Sequence, residues 1–221
     1  MPLYFMIFLA TLAASLLLYL GAVASAAITR RPPAAFIRGI AASRLQATGL
    51  ALLWFGVGVC WLLFFNVYRI HVDLSAFGDA AFQAFSRGYT RRLPIVVLPY
   101  GAMCLVWTLM LWSEPARISR RALWGIATLM VISIASTPWA AFAQDQMQDH
   151  GYSEEAYRQL QASHLVRALA VTIAAVWALA EVWRLPKLDM PTANDASRAG
   201  RLDLPVDRSG ASAVGGSPAS P

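Results

Sequence analysis

Four long stretches of the sequence contain no charged residue. They cover residues 3–29, 45–68, 93–113 and 122–144. A helix needs about 20 residues to cross roughly 30 Å of hydrocarbon, and each stretch is long enough for that. Helices of soluble domains average only about 12 residues. The stretches therefore predict helices that span a membrane.

The bilayer also decides the form of these spans. Inside lipid, every backbone N–H and C=O must be paired within its own helix or in a closed barrel. Barrel strands would alternate apolar and polar residues, and the runs 16–18 and 51–55 are continuously apolar. We therefore predict an all-α fold, a polytopic transmembrane helical bundle followed by a disordered C-terminal tail.

A fifth apolar segment is interrupted sooner, because only thirteen uncharged residues separate Arg167 from Glu181. The two residues are fourteen positions apart, which is about 21 Å along a helix. The segment spans if the side chains of Arg167 and Glu181 extend to opposite headgroup layers. Five spans are predicted, with four as the alternative. The bundle is assigned to 1–188, and its predicted spans are about 3–28, 47–68, 93–113, 122–144 and 163–184.

Charges in the loops predict the orientation. The first loop holds four arginines and no acid, the third holds three arginines and one acid, and the fourth holds four acids and one arginine. Basic loops stay in the cytoplasm, so the N-terminus is predicted outside and the C-terminus inside a bacterial inner membrane. The second loop, with four arginines and two acids, argues the other way. Because the arginines behind the net charge of +6 sit at helix ends, nucleic acid is not a predicted partner.

Two segments lie outside the spans. Residues 74–90 are predicted to form a short amphipathic helix that lies in the outer interface or caps the bundle, with a lid over a site as the sharper alternative. Its apolar stripe consists of Leu74, Phe77, Ala81, Phe85 and Tyr89. Residues 189–221 are rich in Pro, Ser, Gly and Ala and predict a disordered cytoplasmic tail.

Polar residues inside the last two spans form the candidate site. These residues are Thr137, Gln144, His164 and Arg167. Pro138 should kink the fourth span, because it removes a backbone donor. An ionisable group inside a membrane is a functional hypothesis by default. The alternative is that Arg167 reaches the headgroups or pairs with an acid of the fourth loop.

Three histidines are the only candidate metal ligands, and no metal or other cofactor is assigned. His71, His150 and His164 would all lie on the outer side, where neutral imidazoles could hold copper, iron or zinc. Their spacing matches no metal motif, so scattered histidines are the favoured interpretation. Residues 99–101 (Pro-Tyr-Gly) predict a break in the third span. Three deep tryptophans, at 54, 107 and 177, either pack in the core or line an apolar pocket.

The stretch from His71 to about Trp183 resembles a loose group of small bacterial inner-membrane helical-bundle proteins of unassigned activity. The resemblance is carried by Ser136, Thr137, Gly151, Leu160, His164 and Arg167. It is more remotely similar to the anthrone-oxygenase-like membrane family, which has a polar pair and an arginine on its last helix. That resemblance implies a four-helix bundle and oxidation of a lipophilic aromatic. This chain has Asp145 and His164 where that family is expected to have histidine and asparagine.

Three functions follow as hypotheses. The favoured one is a non-catalytic bundle that binds a lipid-like ligand or a partner membrane subunit, which includes a second copy of the chain; membrane lipids are its expected surroundings. The second is a membrane-embedded oxidoreductase or oxygenase acting on a lipophilic substrate around the candidate site. The third is a small transporter built around breaks at Pro99 and Pro138. The sequence contains no phosphate loop, dinucleotide fingerprint, zinc-ligand spacing or nucleophile elbow.

Overall fold

A computed structural model describes residues 3–29, 42–113 and 118–184, and within these ranges the chain is helical and has no strand. The all-α bundle predicted from the sequence is confirmed. The tail predicted for 189–221 lies outside the described residues. The elements are α1 (Leu3–Thr29), α2 (Ala42–Leu62), a π turn (Leu63–Val67), α3 (Tyr68–Ser75), α4 (Asp79–Arg92), α5 (Pro94–Leu109), a 3-10 turn (Met110–Trp112), α6 (Arg120–Ala135), α7 (Thr137–His150) and α8 (Glu154–Trp183).

Five helical units among the described residues are long and apolar enough to cross a membrane. They are Leu3–Thr29, Ala42–Ser75, Ile95–Trp112, Arg120–His150 and Glu154–Trp183. Five candidate spans, rather than four, are therefore present. Several helices run past the predicted spans, since hydropathy marks only the part of a helix that lies in lipid. The fifth begins nine residues before its predicted start of 163, where the Ser153 side chain caps it by accepting a hydrogen bond from the Ala156 amide at 3.2 Å.

The first and third spans are parallel neighbours. Near the start of α1, Thr11 lies against Gly101, so that a side chain larger than glycine would collide with it. Further along, the indole of Trp112 donates a hydrogen bond to the Leu18 carbonyl at 3.0 Å. Both pairs advance along the two helices in the same direction. This is the arrangement expected when successive spans alternate in direction.

The last span packs against the second and fourth spans. The Trp61 indole of α2 donates to the Thr172 hydroxyl of α8 at 3.0 Å. At the far end of α8, the Glu181 carboxylate accepts the Ser119 amide at 2.9 Å, just before α6 begins. Glu181 is buried there and forms an ion pair with Arg184. It therefore helps to cap α6 instead of reaching freely toward headgroups.

The half of the bundle away from the start of α1 is solidly packed. Trp107 is fully buried there, and its indole donates to the Gly49 carbonyl at 3.1 Å. The large side chains buried around it are Leu53, Met103, Met110, Leu123, Ile126 and Met130. Core packing is thus confirmed for Trp107. Trp54 and Trp177 instead lie on the outer surface of the bundle, 43% and 37% exposed.

The two proline predictions have opposite outcomes. The helix α5 runs through Pro99 without interruption, so the predicted break was wrong. The predicted kink at Pro138 is confirmed, because α6 ends at Ala135 and α7 begins at Thr137. Ser136 lies in the break, and its hydroxyl donates to the Ser133 carbonyl at 2.7 Å. A proline is tolerated at the start of a new helix, where no N–H is needed.

The predicted amphipathic helix is shorter and differently faced. It begins at Asp79, after a turn in which Gly78 has a positive φ of 87°, so Leu74 belongs to the preceding helix. Phe77 is 74% exposed in that turn, whereas Phe82 is fully buried. The predicted apolar stripe was therefore wrong for Leu74 and Phe77. The helix α4 packs against α7 at the end of the bundle where α1 begins, which agrees with a cap.

Candidate functional site

A cavity of about 480 Å³ lies at the end of the bundle where α1 begins. Its walls come from every candidate span, including Phe8 and Leu12 of α1, Phe55 and Val59 of α2, and Val97 of α5. Most lining side chains are hydrocarbon or aromatic. The volume falls within the range of roughly 300 to 1,000 Å³ that is usual for pockets binding small organic ligands.

The cavity is bounded on one side by two helices that do not pack together. The helix α1 packs against α5, and α2 packs against α5 and α8. Leu9 of α1 and Phe55 of α2 line the cavity, and their side chains are 41% and 47% exposed. Because these helices span lipid, the gap between them opens toward acyl chains.

All four polar residues of the candidate site lie in the wall of this cavity. The kinked span brings Thr137 and Gln144 of α7 to the same space as His164 and Arg167 of α8. The spacing of three residues between His164 and Arg167 places both on one face of α8. The structure therefore brings together the set that the sequence selected.

Arg167 turns into the bundle and has no acidic partner among the described residues. One of its terminal nitrogens, Nη2, donates to the Thr137 hydroxyl at 3.2 Å, and its guanidinium carbon lies 5.3 Å from the centre of the Tyr100 ring. Its Nε is buried without a hydrogen-bond partner. Asp145 and Asp149 are both exposed and form no ion pair with it. The alternative pairing with the acidic loop is not present.

His164 joins two helices, and its contacts select one tautomer of the neutral imidazole. Its Nε2 lies 2.9 Å from the Cys60 carbonyl of α2, and a carbonyl only accepts, so Nε2 carries the hydrogen. Its Nδ1 then accepts from the Tyr68 hydroxyl, 3.4 Å away. Both nitrogens are therefore engaged within the protein. Such a histidine holds the wall in place and is poorly disposed to exchange protons with a ligand.

The other two histidines do not join it in a cluster. His71 is buried among aromatic rings, including Tyr68, Phe82 and Tyr89, at 5.7 to 5.8 Å between centroids. His150 is exposed at the end of α7. Within the described ranges, no three His, Cys, Asp or Glu side chains are close enough together to hold a metal ion.

Tyrosines of the cavity wall were missed by the sequence analysis. Tyr100, in the middle of the third span, shares a hydrogen bond of 2.6 Å with Ser133 of α6. The Tyr89 hydroxyl is buried beside that of Tyr68, and burial raises the pKa of Tyr89 far above its ordinary value, so it stays protonated. The position of Tyr100 in the sequence could have revealed it, because tyrosines of membrane helices usually lie near the headgroup layers. A phenol buried in the middle of a span needs a hydrogen-bond partner in the protein.

The cavity wall thus has one cationic end and a long apolar remainder. Among the described residues that line it, Arg167 is the only charged one. The Nε of Arg167 is a hydrogen-bond donor that no described residue uses. This arrangement suits a molecule that is mostly hydrocarbon and has hydrogen-bond acceptors at one end.

The chain matches no protein-family model, no curated protein and no solved structure. Its function therefore has to be inferred from the cavity.

Proposed function

We propose that this protein is a non-catalytic membrane protein that binds a lipid-like ligand in the cavity between α1 and α2. The observation that carries the proposal is the cavity itself, which has a volume of about 480 Å³ and is walled mainly by apolar side chains of the five candidate spans. A ligand dissolved in the bilayer would reach it sideways, through the gap between the two helices. An apolar molecule gains little by moving from acyl chains to an apolar wall, so shape and the polar end would determine selectivity.

Transport is less well supported, because large apolar side chains fill the far half of the bundle in the residues that the structure describes. Leu53, Met103 and Trp107 are fully buried there and close the space with apolar side chains. The helix α5 also continues through Pro99, so it supplies no broken helix around a transport site. Oxidation chemistry is less well supported because both nitrogens of His164 already bond to the protein.

The orientation is part of the proposal and is supported by the loop charges. With the basic first and third loops in the cytoplasm of a bacterial inner membrane, α1 would begin on the outside. The cavity would then open into the outer leaflet. The competing occupant is a helix of a partner membrane subunit, including a second copy of this chain, which could also fill a gap between two spans.

The proposal is tested by filling the cavity from its lipid side. Ala13 lines the cavity and Ala10 does not, although both are exposed on α1. Ala13→Phe should displace the ligand, whereas Ala10→Phe should only add a ring that faces lipid. The measurement is native mass spectrometry of protein released from nanodiscs made with native membrane. Wild type and Ala10→Phe should retain a bound small lipid, and Ala13→Phe should lose it.

Three results would count against the proposal. The first is a wild-type protein with no bound species beyond bulk phospholipid. The second is an occupancy that Ala13→Phe leaves unchanged. The third is that the species bound to wild type and lost from Ala13→Phe is a polypeptide and not a lipid, which would establish the partner-subunit alternative.

A further inference from the structure

We propose that the ligand is a single-chain amphiphile with a carboxylate head, and that Arg167 binds this head while the tail follows the apolar wall toward the gap between α1 and α2. This inference depends on the proposed function and names the ligand class for the same cavity. It rests on the unused donors of one guanidinium, on the charge of the cavity and on the course of its wall.

The guanidinium of Arg167 has N–H donors that the described residues leave unused. Nη2 has two hydrogens and gives one to Thr137, and the neighbouring Nε is buried without a partner. These two nitrogens therefore retain two N–H donors between them. A carboxylate has two oxygens that match such paired donors, and bidentate pairing of this kind is the strongest hydrogen bonding arginine forms. The ring of Tyr100 and the Thr137 hydroxyl hold the guanidinium in place.

The positive charge of Arg167 in the cavity wall favours a ligand with one negative charge. Within the described part of the chain, Arg167 is the only charged lining residue, and no acid there forms an ion pair with it. Burying a cation without an anion is costly in a medium of low dielectric constant. A carboxylate carries a single charge and would balance it. A phosphate monoester carries about −1.5 to −2 charges and would leave an excess.

The course of the wall indicates where the tail lies. Tyr100 beside Arg167 is also in aromatic contact with Phe8, with 6.3 Å between ring centres, and Phe8 belongs to α1. From there the wall continues through Leu12 and Phe55, which are hydrocarbon and aromatic side chains at the gap. With its head at Arg167 and an unbranched tail along this wall, the ligand would have its charge beside the guanidinium and its hydrocarbon beside apolar side chains.

The experiment compares an acid with its uncharged analogue. Protein in phosphatidylcholine nanodiscs is titrated with cis-parinaric acid, a fluorescent polyene fatty acid, and separately with the corresponding alcohol. Energy transfer from the tryptophans of the protein reports binding, and empty nanodiscs correct for partitioning into lipid. Wild type should bind the acid at least about ten-fold more tightly than the alcohol, the smaller value expected for a hydrogen bond to a charged group.

Variants of α8 assign the difference to one arginine. Arg167→Gln should abolish the preference for the acid, and Arg167→Lys should keep part of it, since lysine retains the charge and loses the paired donors. Arg158→Gln is the matched control, because Arg158 lies on the same helix, is exposed and does not line the cavity. It should behave like wild type. If Arg167→Gln fails to fold, as judged by circular dichroism, the wild-type comparison of acid with alcohol still decides.

The outcomes separate this inference from the function on which it depends. If wild type binds acid and alcohol equally and Ala13→Phe abolishes both, the cavity holds lipids and the carboxylate assignment is wrong. If Ala13→Phe changes neither, the cavity is not the binding site and the proposed function fails with it. If lysophosphatidate displaces cis-parinaric acid better than palmitate does, the head is a phosphate, and the assignment is overturned.

Discussion

The hydrogen bond between Tyr100 and Ser133 provides the sharpest test of the packing around the cavity. It joins α5 to α6 at 2.6 Å, and both hydroxyls lie in the interior, with Ser133 fully buried. Tyr100→Phe removes the side-chain partner of Ser133, and Ser133→Ala leaves the phenol with only the weaker Cys104 sulfur as a partner. Each single change should cost about 1 to 3 kcal/mol, the usual penalty for an orphaned buried group. The double variant should cost little more than either, because both partners are then gone.

The coupling energy of this pair is therefore the quantity to measure. Double-mutant cycles in membrane proteins average about 0.6 kcal/mol and reach about 1.7 kcal/mol. A short bond between two buried groups should fall in the upper part of that range, above about 1 kcal/mol. The assay is unfolding by dodecyl sulfate in mixed micelles, followed by circular dichroism, for wild type, the two single variants and the double variant.

A control cycle decides whether the coupling is specific. Thr108 is also fully buried on α5, but its hydroxyl donates only within its own helix, to Cys104 at 2.9 Å. Tyr100→Phe and Thr108→Val should therefore be additive within about 0.5 kcal/mol. A Tyr100–Ser133 coupling no larger than this control would refute the inferred bond. Because Tyr100→Phe preserves the ring beneath Arg167, ligand binding should persist in it.

Two further predictions concern backbone conformation and the solid half of the core. Gly151 has a φ of +91°, and a side chain added there would also meet the Asp79 carboxylate, so Gly151→Ala should destabilise by about 1 to 3 kcal/mol. Gly88 lies within a helix in open space, so the control Gly88→Ala should be neutral or stabilising by up to about 1 kcal/mol, and equal effects in dodecyl sulfate unfolding would contradict the explanation. Trp107→Phe should cost about 1 to 3 kcal/mol in the same assay, because it removes the hydrogen bond to the Gly49 carbonyl and leaves a void. An unchanged midpoint would show that the indole is not tightly packed.

The spans were predictable because the bilayer imposes a simple rule on sequence. Charge-free runs of sufficient length identify helices whatever their neighbours, and such runs identified four of the five units. The fifth unit was predicted only by allowing Arg167 and Glu181 inside the span. The kink at Pro138 was also predictable, because proline lacks the N–H needed inside a helix. The candidate polar residues were selected by the cost of placing them in lipid, and the same cost turns Arg167 and His164 toward the interior.

Other features depend on packing and could not be derived from local sequence. Pro99 has the same chemistry as Pro138 but lies inside an unbroken helix, since packing can outweigh one lost backbone bond. The inner face of α4 was misjudged because the turn at Gly78 separates it from Leu74. The π turn Leu63–Val67 also has no clear signal in composition. It is closed by a hydrogen bond from the Tyr68 amide to the Leu63 carbonyl.

The position of α1 has a consequence for how the protein is made. The main neighbour of α1 is α5. Contacts such as that of Thr11 with Gly101 join a residue that is synthesised early to one that is synthesised much later. The first helix must therefore be stable as a separate inserted segment until the third span arrives. Side-by-side docking of the two helices then completes one wall of the cavity, so a lipid resident in the nascent bundle would be enclosed during biogenesis.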